Sequence, residues 1–357
     1  MPNDDRTAVR RFIALTTLLA FVFAPAAVAK PSAPSWAQAE LRLVVSRGLL
    51  PKSAAARPDE PLTEGELAGL VAGLSYEPRA MPVDPQAFVT VAQLDARLVG
   101  ALGLSSSASG FLQAARAVGL KPPSRFGTEV VARLLGLRTN HPAAQDFREL
   151  RHDESVTRAE AAYSAARILK FKGWEPASAR TAAAAFSLPV LGSWEKRLLT
   201  TAVGRIGLPY IWAGTSDLPQ APLGVKVNGG FDCSGFAWRV FKQPYPGGGA
   251  LAAILRGRTA AAMAGEVVPA KRIAFPRLRP ADLVFFGARG PRSTAGQVDH
   301  MGIALGNGWM IHASRHGVAL AELTGWYRDR FAWGRRPLAE AGLTGAGSTV
   351  PIPSDIR

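Results

Sequence analysis

The sequence predicts a chain of the α+β class, with helices gathered in the first half and helix and antiparallel strand sharing the second. Three observations predict it. From Trp36 to about Leu169 apolar residues recur at helical spacing, as in Leu41, Val44, Val45 and Leu49. After Asp232 the residues Phe236, Ala237, Val240 and Phe241 repeat that spacing until Pro244 ends it. Between 299 and 313 two short apolar-rich runs flank Gly306-Asn307-Gly308, the pattern of a β-hairpin.

The elements divide the chain as follows. Residues 1–29 read as a secretory signal: Arg6, Arg10 and Arg11 precede the apolar run Phe12–Phe23, and Ala27-Val28-Ala29 supplies a small-x-small cleavage pattern. That run is too short to span a bilayer comfortably, and no other long apolar stretch follows, so no transmembrane segment is expected once the signal is removed. Residues 30–170 are expected to be helical repeats, 171–192 a linker or lone helix, 193–337 a second domain opened by a cap at Ser193, and 338–357 a flexible tail without periodicity.

The helical half repeats itself. Residues 57–68 (RPDEPLTEGELA) and 151–162 (RHDESVTRAEAA) share six of twelve positions, and a degenerate middle copy falls around Val89–Leu104. Thr63 with Glu66 and Thr157 with Glu160 have the spacing of capping boxes, each followed by a periodic apolar run. Helix initiation alone accounts for keeping these residues. Repeats of this kind ordinarily stack into one bundle.

Composition narrows the chemistry. An apolar fraction of 48% fits a packed globular chain rather than disorder. The net charge of +15 suits an anionic partner; export argues against nucleic acid and leaves a wall polymer or membrane surface. Cys233 is the single cysteine, so no intramolecular disulfide exists. It follows Asp232, a natural N-cap, and falls in the first turn of a helix, where backbone N–H groups and the helix dipole favour thiolate over thiol.

A cysteine nucleophile needs a base, and the base an orienting partner. With a three-residue loop at Gly306–Gly308, Leu305 faces Trp309 and Gly302 faces His312. Met301, Ile303, Leu305, Trp309, Ile311 and Ala313 then share an apolar face, and His300 and His312 become diagonal neighbours on the other. A two-residue loop would separate them. Two half-exposed surface histidines or a metal pair are the alternatives, and the missing third ligand weakens the metal reading. His141, His152 and His316 read as solvated.

Two resemblances follow. Trp36-Ala37, Gly48-Leu49-Leu50-Pro51, the RPDEPLT run from Arg57 and Thr157-Arg158-Ala159-Glu160 resemble S-layer homology domains over roughly residues 36–170. That implies a helical bundle that often binds an anionic secondary wall polymer, with Arg158 and Glu160 as polymer-binding candidates; the first copy reads Thr63-Glu64-Gly65-Glu66 and lacks the Arg. A helical spacer is the alternative. Residues 196–335 resemble the NlpC/P60 family of papain-like wall peptidases. The resemblance rests on Gly207-Leu208-Pro209-Tyr210-Ile211-Trp212-Ala213-Gly214-Thr215, Phe231-Asp232-Cys233-Ser234-Gly235-Phe236, the run Arg279–Phe286, and the hairpin from His300 to Ser314. The chain departs at Ala213 and Ala281, where the family usually has Gly, and by a long insertion between Thr215 and Phe231.

The second resemblance implies a nucleophile-bearing helix packed on an antiparallel sheet. It implies Cys233 as nucleophile, His300 as base, His312 as its orienting partner and Tyr210 as an oxyanion donor, with Asp232 and Ser234 lining the cleft. It implies cleavage of peptidoglycan stem peptides at or near the γ-D-glutamyl–diamino acid bond, in the cell envelope, with neither cofactor nor metal. An amidase or acyltransferase with the same residues, or a non-catalytic wall-binding protein, are the alternatives. Loops 216–230 and 287–298 are placed to restrict the cleft.

Overall fold

The computed structural model describes residues 35–344. The expected signal at 1–29 and the tail from 345 onward lie outside the described residues.

The helical half holds α1 (Gln38–Ser46), α2 (Lys52–Ala56), α3 (Glu64–Ser75), α4 (Val91–Ala101), α5 (Ser105–Ala117), α6 (Phe126–Leu134), α7 (Arg158–Leu169) and α8 (Trp174–Ala185). Three of these start alike. The hydroxyls of Thr63, Thr90 and Thr157 accept N–H bonds from Glu66, Gln93 and Glu160 at the starts of α3, α4 and α7. The residues just before these caps meet one another. Leu62 N–H donates to the Val156 carbonyl (2.8 Å), Val156 N–H to Val89 (2.8 Å) and Val89 N–H to Leu62 (3.1 Å). This closed ring of three bonds joins three equivalent segments, so the middle copy expected around Val89–Leu104 is a full partner. All three ring side chains are fully buried, which explains their apolar identity beside a threonine cap.

The second half runs α9 (Ser193–Val203), β1 (Thr215–Ser216), β2 (Gly230–Phe231), α10 (Cys233–Phe241), α11 (Gly249–Ile254) and α12 (Ala260–Gly265). It continues through β3 (Leu283–Gly287), β4 (Val298–Gly306), β5 (Trp309–Ser314), β6 (Gly317–Glu322), α13 (Gly325–Arg330), β7 (Phe331–Arg335) and α14 (Pro337–Glu340). The antiparallel sheet has the order β6-β5-β4-β3-β7. One sheet face carries Met301, Ile303, Leu305, Trp309, Ile311 and Ala313 into the main core, where α10 contributes Phe236, Ala237, Val240 and Phe241. The other face buries Val284, Phe286, Ala304 and Met310 beneath Leu323 and Phe331.

The hairpin register is the expected one, reached by a different turn. Ile303 pairs with Ile311 and Ala304 with Met310, but a bulge then brings Gly306 opposite Trp309. Asn307 at φ 49° and Gly308 at φ 78° close a two-residue turn. The bulge adds back the residue that the shorter loop removes, so the faces keep their sides.

Two boundary expectations are corrected. Residues 171–192 are not a spacer between separate bodies. They hold α8, whose Ala179 and Ala182 are buried, followed by buried Phe186. Phe186 packs between Phe111 of α5 and Trp309 of β5, with ring centroids 5.0 Å from each. One apolar core therefore runs from α1 through the sheet. The run after 337 also opens in order. Leu338 is buried and Arg335 bonds the Glu340 carboxylate at 2.9 Å.

Candidate active site

Cys233 opens α10 as expected. Asp232 is the N-cap, its Oδ1 taking the Gly235 N–H at 2.5 Å. Gly235 permits this close packing, since a Cβ there would lie 1.9 Å from the Gly214 carbonyl oxygen. The thiol is nearly covered, at 8% exposure. Here the sequence expectation reverses. Burial pushes the Cys233 thiol up to about 12 and Asp232 adds to it, against the Met301 and Ser234 N–H groups, which favour thiolate. Desolvation outweighs the helix start, and the resting group is a thiol.

His300 and His312 are brought together: His300 Nε2 lies 2.7 Å from His312 Nδ1. Gly302, directly across from His312, keeps that space open; a Cβ there would meet Met310 Sδ at 2.9 Å and His312 Cβ at 3.1 Å. Burial lowers His300 to about 4, with Arg330 adding and Asp299 opposing. His312 is lowered well below its ordinary value by burial, then by its neighbour His300. Both rings are therefore neutral near pH 7, and one nitrogen of the contact carries the proton. On the far side His312 Nε2 lies 3.5 Å from the Tyr327 hydroxyl. The pairing leaves His300 Nδ1 without a side-chain partner among the described residues.

Tyr210 lies next to this group. Its hydroxyl is raised far above its ordinary value by burial and then by Cys233 and Asp232. Its strand segment bridges Phe231, two residues before the thiol. Ser234 is buried and donates to Asp232 Oδ1 at 3.0 Å. Asp232 and Ser234 are expected to line the cleft, Asp232 also as the helix cap; their polar atoms meet the helix start and Arg258.

Arg258 is the residue that sequence reasoning left out of the site. Its guanidinium reaches Asp232 Oδ1 (3.2 Å) and Oδ2 (3.1 Å), Ser234 Oγ (2.8 Å) and the carbonyls of Ala213 (3.1 Å) and Gly214 (3.2 Å). It thereby ties the Tyr210–Gly214 turn to the start of α10. Two further residues act from the helical half. Asn140 Nδ2 donates to the Tyr210 carbonyl at 3.0 Å, and Asp146 Oδ2 takes the Trp212 N–H at 2.9 Å. Nothing in the local sequence of either marks that role. The insertion 216–230 is held to the same half, with Arg151 Nη1 donating to the Asp217 carbonyl at 2.8 Å. Loop 287–298 is pinned by its own turns, Ser293 Oγ accepting the Arg289 N–H at 3.1 Å and Gln297 Oε1 the Thr294 N–H at 2.9 Å.

The polymer-binding expectation for Arg158 and Glu160 is corrected. Arg158 is buried and bonds Glu66 Oε1 at 2.8 Å and Glu60 Oε2 at 2.5 Å, tying the first repeat to the third. Glu160 is buried beside Arg138 at 3.5 Å and His141 at 3.6 Å. Neither offers a charge to solvent. His141, read as solvated, is also buried, with Nδ1 2.9 Å from Glu149 Oε1 and its ring edge-on to Trp36. His316 is half-buried, with Nδ1 2.9 Å from the Arg138 carbonyl.

A thiol at a helix start, packed against an antiparallel sheet that presents two hydrogen-bonded imidazoles, defines the class of this domain. Residues 207–336 match the NlpC/P60 family model, and the C-terminal part of the chain is an NlpC/P60 family domain. The chain is 33% identical over 143 residues to the probable peptidoglycan endopeptidase LytE of Bacillus subtilis, covering 39% of this chain and 34% of that one. It is 31% identical over 128 residues to the gamma-D-glutamyl-L-lysine dipeptidyl-peptidase of Bacillus subtilis, covering 36% and 34%. It is 35% identical over 136 residues to the murein DD-endopeptidase MepH of Escherichia coli, covering 37% and 41%. The chain thus spans about a third to two fifths of the length of these relatives.

Proposed function

We propose that this chain is an exported peptidoglycan hydrolase that cuts stem peptides by a Cys-His-His mechanism. The single observation that carries the reading is the His300–His312 pair on the neighbouring strands β4 and β5, Nε2 to Nδ1 2.7 Å, with Met301, the residue after His300, among the groups acting on the Cys233 thiol. The names of the relatives support the substrate class.

The protonation logic follows from the contacts. With His300 donating its Nε2 proton to His312 Nδ1, His300 Nδ1 carries a lone pair and is the base. His312 then holds its own proton on Nε2, toward Tyr327. Cys233 is a thiol, so its proton moves to His300 Nδ1 as the sulfur–carbon bond forms. Tyr210 and a backbone N–H near Cys233 stabilise the oxyanion. Collapse breaks the C–N bond, and His300 returns the proton to the leaving amine. Water then attacks the thioester, giving its proton to His300, and the acid leaves as Cys233 regains the thiol.

The bond proposed is that between γ-D-glutamate and a diamino acid. Defined tri- and tetrapeptides with that bond, incubated with the mature chain, should yield the two products by mass. His300→Ala should abolish the yield. Cleavage at a D-alanyl bond alone would overturn the bond assignment and leave the mechanism standing.

A further inference from the structure

A cleft of about 740 Å³ runs from the back of the imidazole pair to the helical half. One wall is β5, β6 and α13; the other is α6, α7 and α8, which lie outside the stretch that matches the family model. Its inner end is His312 and Tyr327. Trp174 of α8 and Trp326 of α13 line the cleft from opposite walls, at 63% and 55% exposure. Arg167 and Arg315 line the same cleft, and among the described residues neither has a carboxylate partner. Arg167 sits over the Phe171 ring and donates to the Leu135 carbonyl, while Arg315 bonds His316. Two carboxylates share the lining: Glu175 accepts the Lys172 N–H, and Glu322 lies opposite Trp309, at the end of β6 away from Arg315.

We infer that this cleft is a binding subsite for a carboxylate-bearing peptide segment, with Arg167 and Arg315 holding the carboxylate. Charge complementarity sets the ligand class: two guanidiniums without a carboxylate partner suit a carboxylate. Large exposed indoles on facing walls supply apolar contact for the backbone between them. A stem peptide carries such a group, a free carboxylate. The identity of the ligand rests on the peptidase reading; the binding does not. The inference gives the helical half a part in substrate selection that no residue of the family domain supplies.

The test is calorimetric binding to the full mature chain carrying Cys233→Ala, so that no turnover occurs. The probes are a stem tetrapeptide with its free carboxylates and its carboxamide. Arg167→Gln and Arg315→Gln should each weaken the acidic peptide about tenfold, and the carboxamide should bind equally weakly to parent and variants. Arg167→Lys should recover part of the loss, which a merely unfolded variant would not do. Equal affinities for the two peptides, or for parent and Arg variants, would overturn the subsite. Tighter binding of a peptide-free glycan than of the peptide would overturn the ligand class. Hydrolysis by the Cys233 chain without any such binding differences would leave the peptidase reading intact and remove this one.

Discussion

At the scale of single residues, the imidazole pair determines the pH behaviour. As the proposed base, His300 would act only while neutral, and burial lowers its pKa to about 4. A lowered pKa keeps the neutral form present to lower pH. We therefore expect kcat/KM to hold from pH 7 to pH 5 and to fall by half near pH 4. A half-fall near 6.5 would contradict a buried base. His312→Ala removes the partner that fixes the His300 tautomer and should lower kcat by about 10²-fold with little change in KM. This pair was legible only in part: the alternation turns each ring away from the apolar side of its own strand but leaves the register open, and the bulge before Gly306 is what aligns the two rings. The state of Cys233 was not legible. A helix start is visible in the order Asp232-Cys233, but the covering of the sulfur comes from β4, and burial is a property of the packed chain.

At the scale of elements, the site depends on how the Tyr210–Gly214 turn meets α10. Arg258 bonds both, and Lys in its place cannot span the same five acceptors. Arg258→Lys should lower kcat about tenfold and stability by about 1–3 kcal/mol, read by turnover and urea midpoint; an unchanged midpoint would show that the turn is held otherwise. The turn also carries strain. Ala213 has φ 60° and Ala281 φ 66°, the left-handed region that disfavours a Cβ. These are the two positions where the resembled family usually has Gly. Ala213→Gly should stabilise the chain by ~1 kcal/mol, while Ala281, being buried, should gain less. A loss of stability at position 213 would contradict the strain. The repeats were legible from Thr63 and Thr157 because capping is local. The ring joining Leu62, Val89 and Val156 was not, since it depends on three segments meeting in space.

At the scale of the whole molecule, the helical half and the sheet share one core, and charge is buried within it. Asp95 is fully buried, and neither of its oxygens has a hydrogen-bond partner. Burial, then Glu129, raises it from 3.8 to about 7. Between those values the folded chain keeps the proton and the unfolded chain releases it. Stability should therefore fall as pH rises from about 4 to 7, by on the order of a few kcal/mol. Asp95→Asn should flatten that slope in denaturant midpoints taken from pH 4 to pH 8, and equal slopes would contradict it. Residues 171–192, expected as a linker or lone helix, hold the helix α8, and its packing was not legible for a related reason. Its alanines looked like spacer composition, yet Ala179 and Ala182 pack because Phe186 inserts between α5 and β5. The central claim is hydrolysis of peptidoglycan through Cys233. Its most direct test is digestion of purified peptidoglycan by the mature chain beside Cys233→Ala, with mass spectrometry of the soluble fragments. Peptide-cleaved fragments from the parent chain, absent with Cys233→Ala, are the predicted result. The same fragments from both proteins, or none from either, would contradict the account.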